Sequence, residues 1–364
     1  MKFNNLFTLV LLIKGRHEFT HRWLTYMRKI KFSYPIIIGD GQDDDETKKM
    51  LDVINQDKNL NITYYRYNTH AGYLDYYKMK HDIVSAVDTK YVMLCDNDDF
   101  ILINGLNDQI NFLEQNSEYV SASGKILNFE IDHFNYVCYG KKPSLLSACN
   151  YYRIEEPLDD WKSQINQIFT KFQPNFYNVF QTRILKIITS ELVNLNFSDL
   201  IINEFYIQLR AATLGRSKVL TSSFHYLRQR GTSSISKNYE FSEDILKKNM
   251  PSDVRKMANR ISEILSPNYS RDEIRENIFK GFSDYLNFFL GNTTLKFRFP
   301  KLYKVKIFLI NFILHNLNIF YNNYKTLKNY LILRKIVKYS NNTKAFNIKT
   351  QLIDILNFLK EKSD

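Results

Sequence analysis

Cys95-Asp96-Asn97-Asp98-Asp99-Phe100 places three carboxylates within four residues, directly after the apolar run Tyr91–Cys95. Like charges packed this closely raise one another's proton affinity unless a cation or water screens them. A divalent ion that prefers hard oxygen ligands, Mg²⁺ or Mn²⁺, would screen them and could also hold a diphosphate. The alternative is a solvated acidic turn that caps the following helix. No GxxxxGKS/T and no GxGxxG occurs, so phosphate here must be held by metal and by Arg or Lys. An aspartyl-nucleophile phosphatase also has a strand-end acid pair, but with an apolar residue between the acids and a Thr or Val soon after. This loop has neither. Three scattered cysteines (Cys95, Cys138, Cys149) suit neither a disulfide framework nor a CxxC zinc site, and they fit a reducing cytoplasm.

An acid cluster of this kind needs a rigid frame. The first hundred residues alternate apolar runs (Phe7–Ile13, Pro35–Ile38, Asn61–Tyr67, Tyr91–Cys95) with segments of helical spacing (Glu18–Ile30, Asp44–Ile54, Leu74–Val87). This alternation predicts βαβ units, a mostly parallel sheet and helices on both faces. Ligands of such sheets gather beyond the carboxyl ends of the strands, which directs attention to Lys14–His17, Asp40–Asp45 and Asp96–Phe100. Asp43, Asp44 and Asp45 suit the start of the second helix. Farther on, helices are expected over Gly105–Gln115, Asp159–Phe169, Ile184–Leu192 and Asp199–Leu214. Extended segments are expected over Tyr119–Phe129, Tyr136–Tyr139, Phe176–Gln181 and Val219–Leu227. The apolar stretch Leu6–Ile13 is short and no small-residue cleavage site follows, so it reads as a buried strand rather than a signal peptide or anchor.

With 44% hydrophobic and 24% charged residues in a chain of 364, wholesale disorder is excluded. The length suggests two domains or one with a large appendage, and the pattern divides it into 1–236, a helical extension 237–295 and a tail 296–364. The tail holds 14 Lys and Arg against three acids, with no acid from Lys296 to Ile353, and so carries nearly all of the net charge of +12. Such a surface seeks polyanions. No nucleic-acid-binding motif accompanies it, so nucleic acid is not expected as a partner. From Phe299 to Leu317 apolar residues recur at helical spacing among Lys301, Lys304 and Lys306, and the run Ile307–Leu314 is too short, and too soon interrupted by His315, Asn316 and Asn318, to span a bilayer. Two readings stand: an amphipathic helix on an anionic leaflet, or a helical bundle that completes the body or makes a homodimer.

TLVLLIKGRHEFTHRWLTYM (8–27), YPIIIGDGQDDDET (34–47) and KYVMLCDNDDF (90–100) resemble the N-terminal half of a bacterial family 2-type glycosyltransferase with the GT-A fold. Arg16 falls on the arginine of the family's first loop, Asp40 on an acid of the nucleotide side, and Asp96-Asn97-Asp98 on its acidic D-x-D motif. Downstream, Asn203-Glu204-Phe205-Tyr206-Ile207-Gln208-Leu209-Arg210 with Gly215 and Lys218 resembles the family's E-D-W-x-L-x-x-R…G-x-K segment. Tyr226–Ser234 resembles the segment that closes such domains. The matches cover about residues 6–236, in the family's order. The fold class they imply is α/β, a GT-A domain with a mostly parallel central sheet, followed by a C-terminal helical basic region.

The resemblance implies an inverting, metal-dependent transfer of a sugar from a nucleoside-diphosphate sugar, a UDP-sugar by expectation, to an acceptor hydroxyl. The acceptor would be a glycan or lipid-linked molecule in bacterial surface glycan synthesis, lipopolysaccharide or capsule. In that scheme Asp98 and Asp96 hold Mn²⁺ or Mg²⁺, with Asp96 on the ribose or a metal-bound water. Arg16, Asp40, Lys78, Asp96 and Arg228 bind the nucleotide sugar, and Glu204 is the general base. His225 is a candidate third metal ligand, as in GT-A enzymes with a C-terminal histidine. Trp161, Phe172, Phe176 and Tyr177 are candidates for an aromatic acceptor floor, with core packing the alternative role for most of them. The expected location is cytoplasmic, with peripheral attachment to the inner face of the membrane. The alternative is a non-catalytic member of the fold, a sugar-binding or scaffold protein at the membrane surface, suggested by Gly39 and Asn203 where the family has acids.

Overall fold

Strand β1 (Phe7–Ile13) alternates its side chains between two apolar layers: Phe7, Leu9, Leu11 and Ile13 join one, Val10 the other. Strand β4 (Tyr91–Cys95) does the same, with Tyr91, Met93 and Cys95 on the first side and Val92 and Leu94 on the second. A strand buried on both faces reads as a continuous apolar run, which is why both were legible in the sequence. The computed structural model describes residues 5–42, 44–54, 60–67, 72–132, 137–149, 160–170, 175–230, 250–298 and 342–361.

Helices α1 (His17–Lys29), α2 (Glu46–Ile54) and α3 (Tyr73–Ser85) separate β1, β2 (Ile36–Asp40), β3 (Ile62–Arg66) and β4. These four strands are parallel in the order β3-β2-β1-β4. After β4 come β5 (Phe100–Ile101), α4 (Ile103–Gln115), β6 (Tyr119–Ile131), β7 (Pro143–Cys149), α5 (Trp161–Thr170), β8 (Val179–Gln181), α6 (Thr182–Leu195), α7 (Leu200–Leu214) and β9 (Arg216–Gln229). They extend the sheet to nine strands in the order β3-β2-β1-β4-β8-β6-β9-β5, with β7 paired to β6. Strand β8 is antiparallel to both β4 and β6, whereas β6 and β9 run parallel. The result is a curled, mostly parallel sheet flanked by helices, the GT-A-like architecture.

The extended segment expected at Tyr136–Tyr139 is not a strand at 137–139, and residue 136 lies outside the described residues. The strand lies farther on instead, at β7, which forms a hairpin with β6. Helices α8 (Met250–Leu265) and α9 (Arg271–Arg298) pack with α3, α5, α6 and α7 into the second apolar layer. The boundary expected at 295/296 falls inside α9. The amphipathic stretch Phe299–Leu317 lies outside the described residues. Helix α10 (Asn342–Glu361) places Ile348, Leu352, Ile355 and Leu359 along one stripe in the first layer. Its Phe358 ring sits 5.8 Å from that of Tyr26 and 6.3 Å from that of Phe100, directly behind the acidic loop. Among the described residues no helix is long and apolar enough to cross a membrane.

Candidate active site

Strands β1 and β4 are parallel neighbours, and the segments that leave their carboxyl ends, Lys14–Arg16 and Asp96–Asp99, border one cleft. At the end of β1, Gly15 (φ 64°) and Arg16 (φ 63°) both adopt the left-handed conformation. Glycine does this freely, but for arginine it is an uncommon state that neighbouring contacts must hold. Here the Arg16 carbonyl accepts the first N–H groups of α1, from Phe19 (3.0 Å) and Thr20 (3.1 Å). The turn aims the guanidinium back over the sheet end, where Nη2 lies 2.8 Å from Asp98 Oδ2.

The acidic loop after β4 is fixed from several sides. Asn97 Nδ2 donates to Thr20 Oγ1 (2.9 Å), the Asp96 N–H donates to Tyr226 Oη (3.2 Å), and the Gln229 N–H donates to Asp99 Oδ1 (2.7 Å). Arg22, fully buried, donates to the Asp98 carbonyl (2.6 Å), the Cys138 carbonyl (2.8 Å) and Gln229 Oε1 (2.7 Å). One guanidinium therefore joins the acidic loop to the end of β9. Nothing in the motif pattern singled out Arg22. Its place on the apolar stripe of α1, beside Phe19 and Trp23, was the available signal.

Asp96, Asp98 and Asp99 each bring a carboxylate oxygen within 4.8 Å of the others. Burial, with the neighbouring charge of Asp98, pushes Asp96 up to about 6 and Asp99 well above the ordinary carboxylate range. Tyr177 Oη donates to Asp96 Oδ2 (2.8 Å), and Arg228 and Arg16 oppose the shift. A set of hard oxygens under mutual repulsion is the donor chemistry that suits Mg²⁺ or Mn²⁺, and the triad could hold such an ion.

The loop borders a cleft of ≈ 690 Å³. Of the site residues expected from the sequence, Arg16, Asp96, Asp98, Glu204 and Arg228 line it together. Glu204 stands on α7, whose N-terminus Asp199 caps by accepting from the Ile201 and Ile202 N–H groups (2.7 and 3.3 Å). Burial pushes the Glu204 carboxyl up to about 7 against the pull of Arg228 and Lys80. A carboxyl that titrates near neutrality is poised to exchange a proton.

Three expectations need correction, those for Lys78, His225 and, below, Asp40. Lys78 is exposed on the outer side of α3, and Lys80 is the lysine turned inward, 1% exposed, with Nζ 4.5 Å from the centre of the Tyr76 ring. Burial lowers its ammonium to about 8, with Glu204 and Asp96 as the acids that counter the shift. Lys80 shares a helical face with Tyr76, Tyr77, Ile83 and Val84, and that spacing could have separated it from Lys78. His225 is fully buried and both ring nitrogens are taken by backbone: Nδ1 accepts from the Gly124 N–H (3.1 Å) and Nε2 bonds the Tyr177 carbonyl (2.9 Å). It ties β9 to β6 and to the segment before β8, and the third acid of the cluster is Asp99. Trp161 packs against Tyr269 (5.3 Å) rather than at the cleft, and Phe172 lies outside the described residues. Phe176 and Tyr177 do line the cleft, joined by Tyr73 and Tyr76, which sequence reasoning did not assign to it, and by Lys14 and Asn203, which it had placed in a strand-end loop and in the motif of Glu204 without a role.

Asp40 ends β2 fully buried, accepting from the Gln42 N–H (2.9 Å) and Tyr64 Oη (3.0 Å), and does not line the cleft. Gly39 faces the other way. A Cβ there would lie 2.8 Å from Ile83 Cγ1, so an acid at this position would point into the α3 packing and not toward a ligand.

The sequence matches no family description and no curated protein. Among solved structures, TarS (residues 1–349) from S. aureus in complex with UDP-GlcNAc superposes with a TM-score of 0.51 at 14% identity, over 79% of this chain and 73% of that one. TarS 1–349 without a named ligand gives 0.50 at 13% identity, over 98% of this chain and 90% of that one. At such identity the likeness concerns the fold.

Proposed function

We propose that this chain is a metal-dependent glycosyltransferase that moves a sugar from a nucleoside-diphosphate sugar to an acceptor hydroxyl with inversion at the anomeric carbon. The observation that carries the reading is the separation of acids in one cleft. Three sit together on the acidic loop, and Glu204 stands apart on α7 with its proton affinity near neutral. Asp96, Asp98 and Asp99 would hold Mg²⁺ or Mn²⁺, which supplies Lewis-acid stabilisation to a leaving diphosphate.

Arg16, Arg228 and Lys14 line the same cleft and place fixed positive charge where a diphosphate would leave. Glu204, as carboxylate, takes the proton of the acceptor hydroxyl. The acceptor oxygen forms the new bond to C1, the bond from C1 to the diphosphate oxygen breaks, and the nucleoside diphosphate departs with that electron pair. Among the described residues Glu204 is the only lining carboxylate outside the triad. A single carboxylate suits direct displacement, whereas two-step retention needs a nucleophile as well as a base. UDP is the nucleotide of choice for testing, since TarS, of similar fold, is seen with UDP-GlcNAc. A glycan or lipid-linked acceptor, with the basic segment 299–341 drawing the enzyme to an anionic leaflet, completes the proposal.

The experiment is a calorimetric titration of UDP with and without Mn²⁺, followed by a transfer assay with UDP-sugars. Binding is expected to require the metal and to raise the unfolding temperature with the logarithm of ligand excess. Absence of any nucleotide binding would reject the reading. Metal-dependent binding with no turnover on any donor would favour the non-catalytic alternative.

A further inference from the structure

On α3, Tyr73, Tyr76 and Lys80 follow one another at helical spacing along one face. On α7, Leu200, Asn203 and Glu204 do the same. Tyr73, Tyr76, Leu200, Asn203 and Glu204 line the same cleft with Phe176, and Tyr73 and Tyr76 feel the charges of Asp199 and Glu204, so the two faces meet at one part of it, here called its mouth. Two features of this mouth are unexplained by the donor chemistry. Tyr73 leaves a large aromatic side chain 43% exposed at the rim. Deeper in, Asn203 is 4% exposed and its Oδ1 has no hydrogen-bond partner, an arrangement that folding alone disfavours.

We infer that this mouth is the acceptor subsite and that it takes a neutral pyranose ring, laid with its C–H face on Tyr73, a hydroxyl donating to Asn203 Oδ1 and the neighbouring hydroxyl presented to Glu204. The inference rests on the proposed transferase reading. An exposed aromatic face is the surface that a sugar's apolar C–H side covers, and a buried lone acceptor beside a base is satisfied by one hydroxyl of a ring whose next hydroxyl reacts. The carboxylates of Asp199 and Glu204 face this end of α3, and both act on the nearby tyrosines. Lys80 and Arg228 act on Glu204 in turn, so the charges at this end come close to balancing, which suits an uncharged ring better than an anionic polyol phosphate. The structure thereby separates two uses of one cleft: diphosphate at the acidic loop, acceptor sugar at the helix faces.

Saturation-transfer NMR on the full chain tests this, with methyl β-D-glucopyranoside and methyl N-acetyl-β-D-glucosaminide as ring probes and glycerol 3-phosphate as the anionic polyol. Each is titrated with and without UDP and Mn²⁺. At least one pyranoside is expected to bind, with Tyr73→Ala and Asn203→Leu each weakening it tenfold or more, Tyr73→Phe retaining it, and UDP affinity unchanged within twofold in all three. Tyr73 is at the surface, so its alanine variant tests binding without disturbing the core. The inference is overturned if neither pyranoside binds, if glycerol 3-phosphate binds in their place, if Tyr73→Ala leaves ring binding intact, or if that variant weakens UDP instead. UDP binding without pyranoside binding defeats this subsite alone, whereas failure of UDP binding defeats the transferase reading.

Discussion

Glu204→Gln is expected to lower sugar transfer by about 10³-fold while leaving UDP affinity within a few-fold of the parent, because removing a positioned general base costs on the order of 10²–10⁴ in rate. The amide keeps the shape of the side chain but cannot take the acceptor's proton. The parent enzyme should show transfer rising with pH and levelling at or below about 7, since burial places the carboxyl there and a bound cation nearby would draw it down. The stability effect has the opposite sign. A carboxyl whose folded proton affinity exceeds its unfolded value binds protons preferentially in the folded state, so the parent loses stability as pH climbs from about 4.5 to about 7. The amide escapes that loss. Glu204→Gln should therefore match the parent near pH 4 and exceed it above pH 7, by on the order of 1–3 kcal/mol in urea unfolding. An inactive variant that is less stable at pH 8 would mark Glu204 as a structural residue.

Asp98→Asn is expected to weaken Mn²⁺-dependent UDP binding at least about 100-fold and to reduce transfer by a comparable or larger factor, because the electrostatic partner of the leaving group is lost. The fold should survive. Asn97, Asp99 and the Asp98 carbonyl hold the loop through Thr20, Gln229 and Arg22, contacts that the amide leaves in place. Removing the Asp98 charge also relieves Asp96, whose raised proton affinity comes from burial and then from Asp98. Metal titration followed by Mn²⁺ electron paramagnetic resonance separates the two outcomes. Loss of Mn²⁺ binding with unchanged unfolding is the expected result, and retained Mn²⁺ binding would remove Asp98 from the ligand set.

The strands that carry the site were legible because they are buried on both faces. Phe7–Ile13 and Tyr91–Cys95 read as apolar runs, and the polar residues after them could only be loops at the sheet end. The acidic loop was singled out by residue type and place, the α7 acid only by the family resemblance. The residues missed are those whose meaning depends on which way a helix turns. Lys78 and Lys80 differ by two residues, yet one faces solvent and the other Tyr76. Tyr73 belongs to no motif and Asn203 stood out only as a departure from one, and only their shared place in the cleft gives them a common purpose. His225 looked like a ligand by residue type, but the parallel pairing of β6 with β9 delivers it to the Gly124 N–H instead. Gly39 looked like a missing acid until its direction into α3 was known. The end of the chain was the least readable part, because α10 reaches back more than two hundred residues to pack against Tyr26 and Phe100.

The proposed chemistry requires one arrangement, a diphosphate held at the acidic loop within reach of the α7 acid. A crystal structure of the protein with UDP and Mn²⁺, read by anomalous scattering at the manganese edge, tests it most directly. The expected map has the manganese peak between Asp98 and its acidic neighbours, in contact with the diphosphate, with Arg16 or Arg228 on the phosphates and Glu204 facing open space beyond them. A nucleotide bound outside this cleft, or manganese bound away from the three aspartates, would contradict it.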